Sequence, residues 1–172
     1  MKKVFRWIGI VLGSLIGLIL IVGIVLYSMG NARLNKTYDF PPSNIVIPTD
    51  AASIEYGKHR AESLCQGCHG EDLSGIENWF EGGPLGTIDS ANLTTGEGGF
   101  GREAASDEDY VKAIRHGIGP DGKPIFMPAV VSTAYVSDED LGAIIAYIKS
   151  VPAVDHKTSG HNFTPLAKIL LV

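Results

Sequence analysis

The chain opens with one long apolar block and then changes character. Ile8 to Tyr27 are twenty consecutive uncharged, mostly aliphatic residues. As a helix at about 1.5 Å per residue they cross roughly 30 Å of hydrocarbon. From Asn35 to about Ala52 the apolar periodicity vanishes, and Pro41, Pro42 and Pro48 prevent a continuous helix. This stretch reads as an extended tether that could reach at most ~60 Å. A helix is expected from near Ala51 to Leu64, capped by Thr49 or Asp50. Gly70 to Arg102 carries nine glycines, and little regular structure is expected there. The next helix starts at Ser106, with Asp109 completing a capping-box variant, and ends at Gly117 after Arg115 and His116. In the last, Ser137 caps and Leu141, Ile144, Ile145 and Ile148 form an i, i+3, i+4, i+7 stripe. No alternating run longer than four residues competes, so the part after the apolar block is expected to be all-α.

A chain of 172 residues holds one modest domain plus extras. The pattern divides it into an anchor over 1–30, a tether over 31–50, a folded domain over 51–153 and a tail over 154–172. Lys2, Lys3 and Arg6 precede the apolar block, which places the N-terminus in the cytoplasm and the rest on the exported, periplasmic side of a bacterial membrane. A cleaved signal peptide has an apolar region of about 7–15 residues and a small-x-small site. Gly30-Asn31-Ala32 is only a weak match, so the block reads as an uncleaved single-pass anchor. Gly9, Gly13 and Gly17 share one helix face, where a partner helix could approach closely. Four of the fourteen basic residues fall before Leu34, leaving ten against nineteen acidic ones, a formal charge of −9. Such a surface argues against nucleic acid and favours a protein partner with a basic docking patch. The tail from Asp155 reads as uncapped and too short to span a membrane; it could cover the domain or dock on a partner.

The candidate chemistry sits in Cys65-Gln66-Gly67-Cys68-His69, which holds both cysteines of the chain. C-x-x-C-H is the attachment pattern of c-type haem. Two thiols three positions apart can each add to one porphyrin vinyl group, and the following imidazole becomes the proximal iron ligand. A zinc site would need two more ligands, and no further cysteine provides them. A thioredoxin-like redox pair expects a strand–helix context, and a plain disulfide has no need of the histidine. One haem c is therefore the expected cofactor, held by Cys65 and Cys68.

For the second axial position, Met1 starts the chain and Met29 abuts the apolar block. Met127 lies in Pro124-Ile125-Phe126-Met127-Pro128, 58 residues after His69. Its thioether suits the iron and raises the reduction potential. His59 reads as a surface helical residue, His116 as a helix-end residue favoured by the dipole, and His156 and His161 as tail residues. His69 and Met127 are the expected metal ligands.

Residues from about Ala51 to Ala153 resemble a class I c-type cytochrome: helix, CQGCH, loop, helix, methionine loop, final helix. The resemblance implies that fold, with first and last helices crossing and Gly57 and Tyr147 at the crossing. More narrowly, PLGTIDSANLT, DEDYVKAIRHGIGPDGKPIFMP and SDEDLGAIIAYIKSVPAVD resemble the cytochrome c subunits of membrane-bound alcohol, aldehyde and sugar-acid dehydrogenases. Those subunits typically carry three haem domains, whereas this sequence has one signature. By resemblance alone, Asn92 and Thr94 are expected near the haem propionates.

The expected function is to carry single electrons between redox partners, as a tethered shuttle or a subunit of a respiratory or dehydrogenase complex, and not to act as an enzyme alone. Two alternatives stand beside it. One is an open-site haem that senses or turns over a small ligand; the other is a structural subunit whose haem is incidental.

Overall fold

The computed structural model describes residues 2–104 and 106–172. Helix α1 runs Lys2–Leu34, and its large apolar side chains from Val4 to Val25 are exposed along its length. By length and composition it can cross a membrane. Helix α2 (Ala51–Leu64) begins at Asp50, whose carboxylate accepts a hydrogen bond from the Ser53 amide at 3.0 Å. Asp50, rather than Thr49, is the cap. A single turn, α3 (Gln66–His69), follows directly.

Helix α4 (Phe100–Glu103) leads to α5 (Asp107–Val111), where Ser106 and Asp109 make the reciprocal cap read from the sequence. The path continues as a π turn over Lys112–His116 and stops at Gly117, in the left-handed region at φ 65°. After a loop and α6 (Val130–Thr133), helix α7 (Asp138–Ser150) starts at Ser137, which accepts the Asp140 amide at 3.1 Å.

The core forms where α2 crosses α7. Leu141, Ile144, Ile145 and Ile148 are all buried, together with Ala61, Leu73, Tyr110 and Val111. Removing each large aliphatic side chain from water contributes about 1.5–3 kcal/mol, so this stripe dominates the domain's cohesion. The crossing is close because Gly57 has no side chain: a Cβ there would lie 1.9 Å from the Ala143 carbonyl oxygen. Tyr147, expected at this crossing, is partly buried against the core, but the backbone atoms nearest Gly57 belong to Ala143 and Ile144. Outside the core, Asp140 accepts from Tyr56 Oη at 2.5 Å and pairs with Arg60 at 3.1 Å. The Tyr56 hydroxyl, chiefly, holds the Asp140 carboxyl below its usual range.

The all-α expectation needs correction, because the protein is mostly helical but contains a small sheet. Strands β1 (Ile76–Glu81) and β2 (Gly86–Ser90) form an antiparallel hairpin around a 3-10 turn at Gly83–Leu85. A third strand, β3 (Asn162–Phe163), joins β2 from the tail. Side chains complete the irregular pairing: Ser90 Oγ accepts the Ile76 amide at 2.8 Å, and Asp89 Oδ1 accepts the Asn78 amide at 2.8 Å. Asn78 sits at φ 50° and the register shifts between Ile76 and Phe80. Gly86 admits β3 because a Cβ there would meet the Asn162 carbonyl oxygen at 1.8 Å.

The tail is also capped, against expectation. Thr164 Oγ1 accepts the Ala167 amide at 3.3 Å and opens α8 (Pro165–Leu170), with Pro165 at its first turn. The tether is extended, as read, but it is bound to its own domain. Tyr38 N donates to Gly122 O at 2.8 Å, and Phe40 stacks on His116 at 4.3 Å. Ser43 donates twice to Glu108 Oε2, Ile45 and Ile47 pack on the core, and Val46 O lies against Gly142. At its start, the Asn35 and Lys36 amides continue the last turn of α1 by bonding Ala32 O and Arg33 O.

Candidate functional site

The site is built on the α2–α3 junction. Cys65 caps α2, its amide bonding Ala61 O at 2.8 Å, and the His69 amide reaches back to Cys65 O at 2.9 Å. This one turn carries Cys65, Cys68 and His69 together. Both thiols are free of disulfide and partly buried. Burial, with a smaller contribution from Cys68, pushes the Cys65 thiol up to about 11. Burial also lowers His69, opposed by its hydrogen bond to Ala91 O at 2.7 Å. That contact assigns the proton to Nδ1, since a carbonyl can only accept. The other ring nitrogen, Nε2, is left with its lone pair for a metal. Two free thiols at three-residue spacing and a neutral, oriented imidazole fit a covalently held haem with a proximal histidine.

The hairpin is the element the sequence reading missed, and it supports this turn. Trp79 Nε1 donates to Gly67 O at 3.2 Å, inside the signature. Gly75 N donates to His69 O at 2.8 Å, and Leu93 N to Leu73 O at 2.8 Å. A tryptophan ten positions beyond a C-x-x-C-H was the available signal, but nothing local says where its indole lands.

Met127 lies in the loop between the π turn and α6. The loop is closed by the Ile118–Pro124 bridge and by Ile125 N donating to Gly117 O at 2.8 Å. The Met127 amide bonds Ile125 O and its carbonyl accepts Val130 N, each at 3.0 Å. Neighbouring Phe126 packs edge-on against Phe163, with centroids 5.2 Å apart, and against His161 at 6.0 Å. Phe126 also shares an apolar cleft of about 140 Å³ with Phe80, Leu85, Ile88, Phe163 and Leu170. The hairpin therefore meets the cysteine turn through Trp79, and its Phe80 and Ile88 line one cleft with Phe126 of the methionine loop.

Asn92 and Thr94 are fully buried. Asn92 Nδ2 donates to Val154 O at 2.7 Å and to His156 O at 3.0 Å, while its Oδ1 accepts Thr94 N at 2.8 Å. Thr94 Oγ1 donates to Val154 O and accepts Val154 N at 3.0 Å. Their side-chain donors are thus directed to the chain after α7. Asn92→Ala leaves His156 O and Thr94 N without their Asn92 partner and should cost about 1–3 kcal/mol, read as a lower midpoint in denaturant unfolding with an unchanged haem spectrum.

The remaining histidines make their contacts elsewhere. His59 is on the surface between Glu55 and Glu62, and His116 stacks on Phe40. His156 Nδ1 contacts Ser74 O at 2.8 Å. His161 is lowered by burial and raised less by the nearby Asp89. Asp89 Oδ2 is buried and has no hydrogen-bond partner among the described residues.

Residues 52–148 match the model of the family "Cytochrome C oxidase, cbb3-type, subunit III". Among curated proteins, a gluconate 2-dehydrogenase cytochrome c subunit from Pantoea cypripedii is 38% identical over 108 residues, covering 56% of this chain and 22% of that protein. A fructose dehydrogenase cytochrome subunit from Gluconobacter japonicus is 32% identical over 148 residues, covering 78% of this chain and 28% of that protein. The chain spans less than a third of either relative's length.

Proposed function

The chain belongs to the cbb3-type cytochrome c oxidase subunit III family of c-type cytochromes, and on that premise we propose that it is a membrane-anchored carrier of single electrons on the exported side. Cys65 and Cys68 hold one haem c, His69 and Met127 fill its axial positions, and residues 51–153 form the haem-binding unit. The haem supplies the one-electron redox chemistry. The chain contributes what tunes and presents it. His69 is oriented by Ala91 O, and burial favours its neutral form. The methionine loop is braced by Phe126 against Phe163. The acidic exported surface offers a face for a basic partner. The observation that carries the reading is the oriented imidazole beside two free thiols on one turn.

Lys2, Lys3 and Arg6 ahead of α1 support a cytoplasmic N-terminus. The relatives' names support a role as the electron-carrying part of a sugar or sugar-acid dehydrogenase assembly.

The test is an optical spectrum of the purified protein, oxidised and reduced, with and without CO. Wild type should show the weak methionine–iron charge-transfer band when oxidised and bind negligible CO when reduced. Met127→Ala should lose the band and bind CO while retaining the haem. Ready CO binding by the wild type would overturn the closed-site reading in favour of a ligand-binding haem.

A further inference from the structure

The C-terminal helix lands on α1 at the exported end of the apolar block. Gly30 is the one buried residue among those described in α1, and a Cβ there would meet the Lys168 carbonyl oxygen at 1.8 Å. Lys168 Nζ reaches Asn31 Oδ1 at 3.1 Å and lies 5.6 Å from the Tyr27 ring centre, while Arg33 Nη1 donates to Leu171 O at 3.4 Å. The depth of this contact follows from helix geometry. If Ile8 to Tyr27 fill the hydrocarbon, Gly30 is three residues, about 4.5 Å, beyond its edge. The headgroup layer of each leaflet is about 5–7 Å deep, so α8 lies within it.

The helix is built for that depth. Ala167 faces inward at 7% exposure, while Leu166 and Leu170, one turn apart, are 45% and 66% exposed. Val172, just past the helix end, is 37% exposed. The acidity of the exported part would repel an anionic surface, yet no Asp or Glu occurs in 28–38 or 161–172. The side-chain charges there are Arg33, Lys36 and Lys168. Apolar residues on one side with cations at the rim are the features of a helix lying in the membrane interface.

We propose that α8 is an interfacial lipid contact: Leu166, Leu170 and Val172 enter the boundary between acyl chains and headgroups, and Arg33, Lys36 and Lys168 meet lipid phosphates. The proposal rests on reading α1 as a membrane span. It makes the tail a second attachment to the bilayer, holding the haem domain with its hairpin edge toward the membrane.

The experiment places a nitroxide at Leu170→Cys in the full-length haem-loaded protein, in vesicles of phosphatidylethanolamine and phosphatidylglycerol. Leu18→Cys within the block and Val131→Cys, 75% exposed on α6, serve as references. Protein without an introduced cysteine should take up no label, since haem attachment consumes both native thiols. The expected result is several-fold more collision with oxygen than with a water-soluble nickel chelate at 170, as at 18, and the reverse at 131. Water-like accessibility at 170 with a shielded 18 overturns the lipid contact and leaves the anchor standing. Water-like accessibility at both, or a purified protein lacking 1–30 by mass, overturns the anchor and the contact together.

Discussion

Cys65→Ser with Cys68→Ser should yield a polypeptide that carries no haem through denaturing electrophoresis. The two thiols are the only ones in the chain and sit on one turn, unpaired with each other. No other side chain in the sequence can form the thioether bonds. The single variants separate the two positions. Each should keep haem through one bond, with the absorption of the reduced form shifted because one vinyl group stays unsaturated. Haem peroxidase staining and the mass of the intact protein check all three variants. A double variant that retains stain after boiling in detergent would sink covalent attachment. Loss in the double variant should also weaken folding, because the loop of residues 70–102 lacks a sizeable core of its own.

The second large effect is Gly57→Ala. In an exposed helix interior this change stabilises by about 1 kcal/mol. Here the added methyl would lie 1.9 Å from the Ala143 carbonyl oxygen, at the crossing of α2 and α7. Backbone cannot step aside as a flexible side chain can, so the two helices must separate. That loosens Ala61, Leu141, Ile144 and Ile145 at once. The cost should exceed about 3 kcal/mol, or roughly 15 °C in melting temperature for a domain of this size. Ser63→Ala on the exposed side of the same helix should move stability by less than about 0.5 kcal/mol. A Gly57→Ala protein that melts with the wild type would refute the close crossing.

What could be read from the sequence follows the range of the interactions. The stripe Leu141, Ile144, Ile145 and Ile148 and the caps at Asp50, Ser106 and Ser137 are local, and the structure keeps them. The hairpin is not local in that sense. Its first strand shows no alternation of burial, and its pairing depends on the Asp89 and Ser90 side chains replacing backbone partners. Strand β3 comes from 75 residues beyond Thr87, its partner for Asn162. The tail helix did carry a readable signal, a threonine cap followed by proline at the first helical position. Its shortness hid it. At the site, the C-x-x-C-H turn was legible because its chemistry lies within five residues. The roles of Trp79, and of Asn92 and Thr94 in fastening the chain after α7, depend on contacts 12 to 64 residues away.

The strap along the domain changes how an electron partner is found. With Asn35 and Lys36 still in the turn of α1 and Tyr38 already fastened to Gly122, only Thr37 separates α1 from the bound strap, and α8 packs on α1 as a second tie. A leash of eighteen residues would let the domain swing, with a local partner concentration set by linker length. A bound strap and a packed α8 transmit the motion of α1 instead. In the proposed role, encounters are therefore two-dimensional collisions between whole membrane proteins, and electron flux should scale with the surface density of the partner. Glycines inserted between Pro48 and Asp50 would leave that flux unchanged, whereas glycines inserted after Lys36 would release the domain only once the contact of α8 with α1 is also broken.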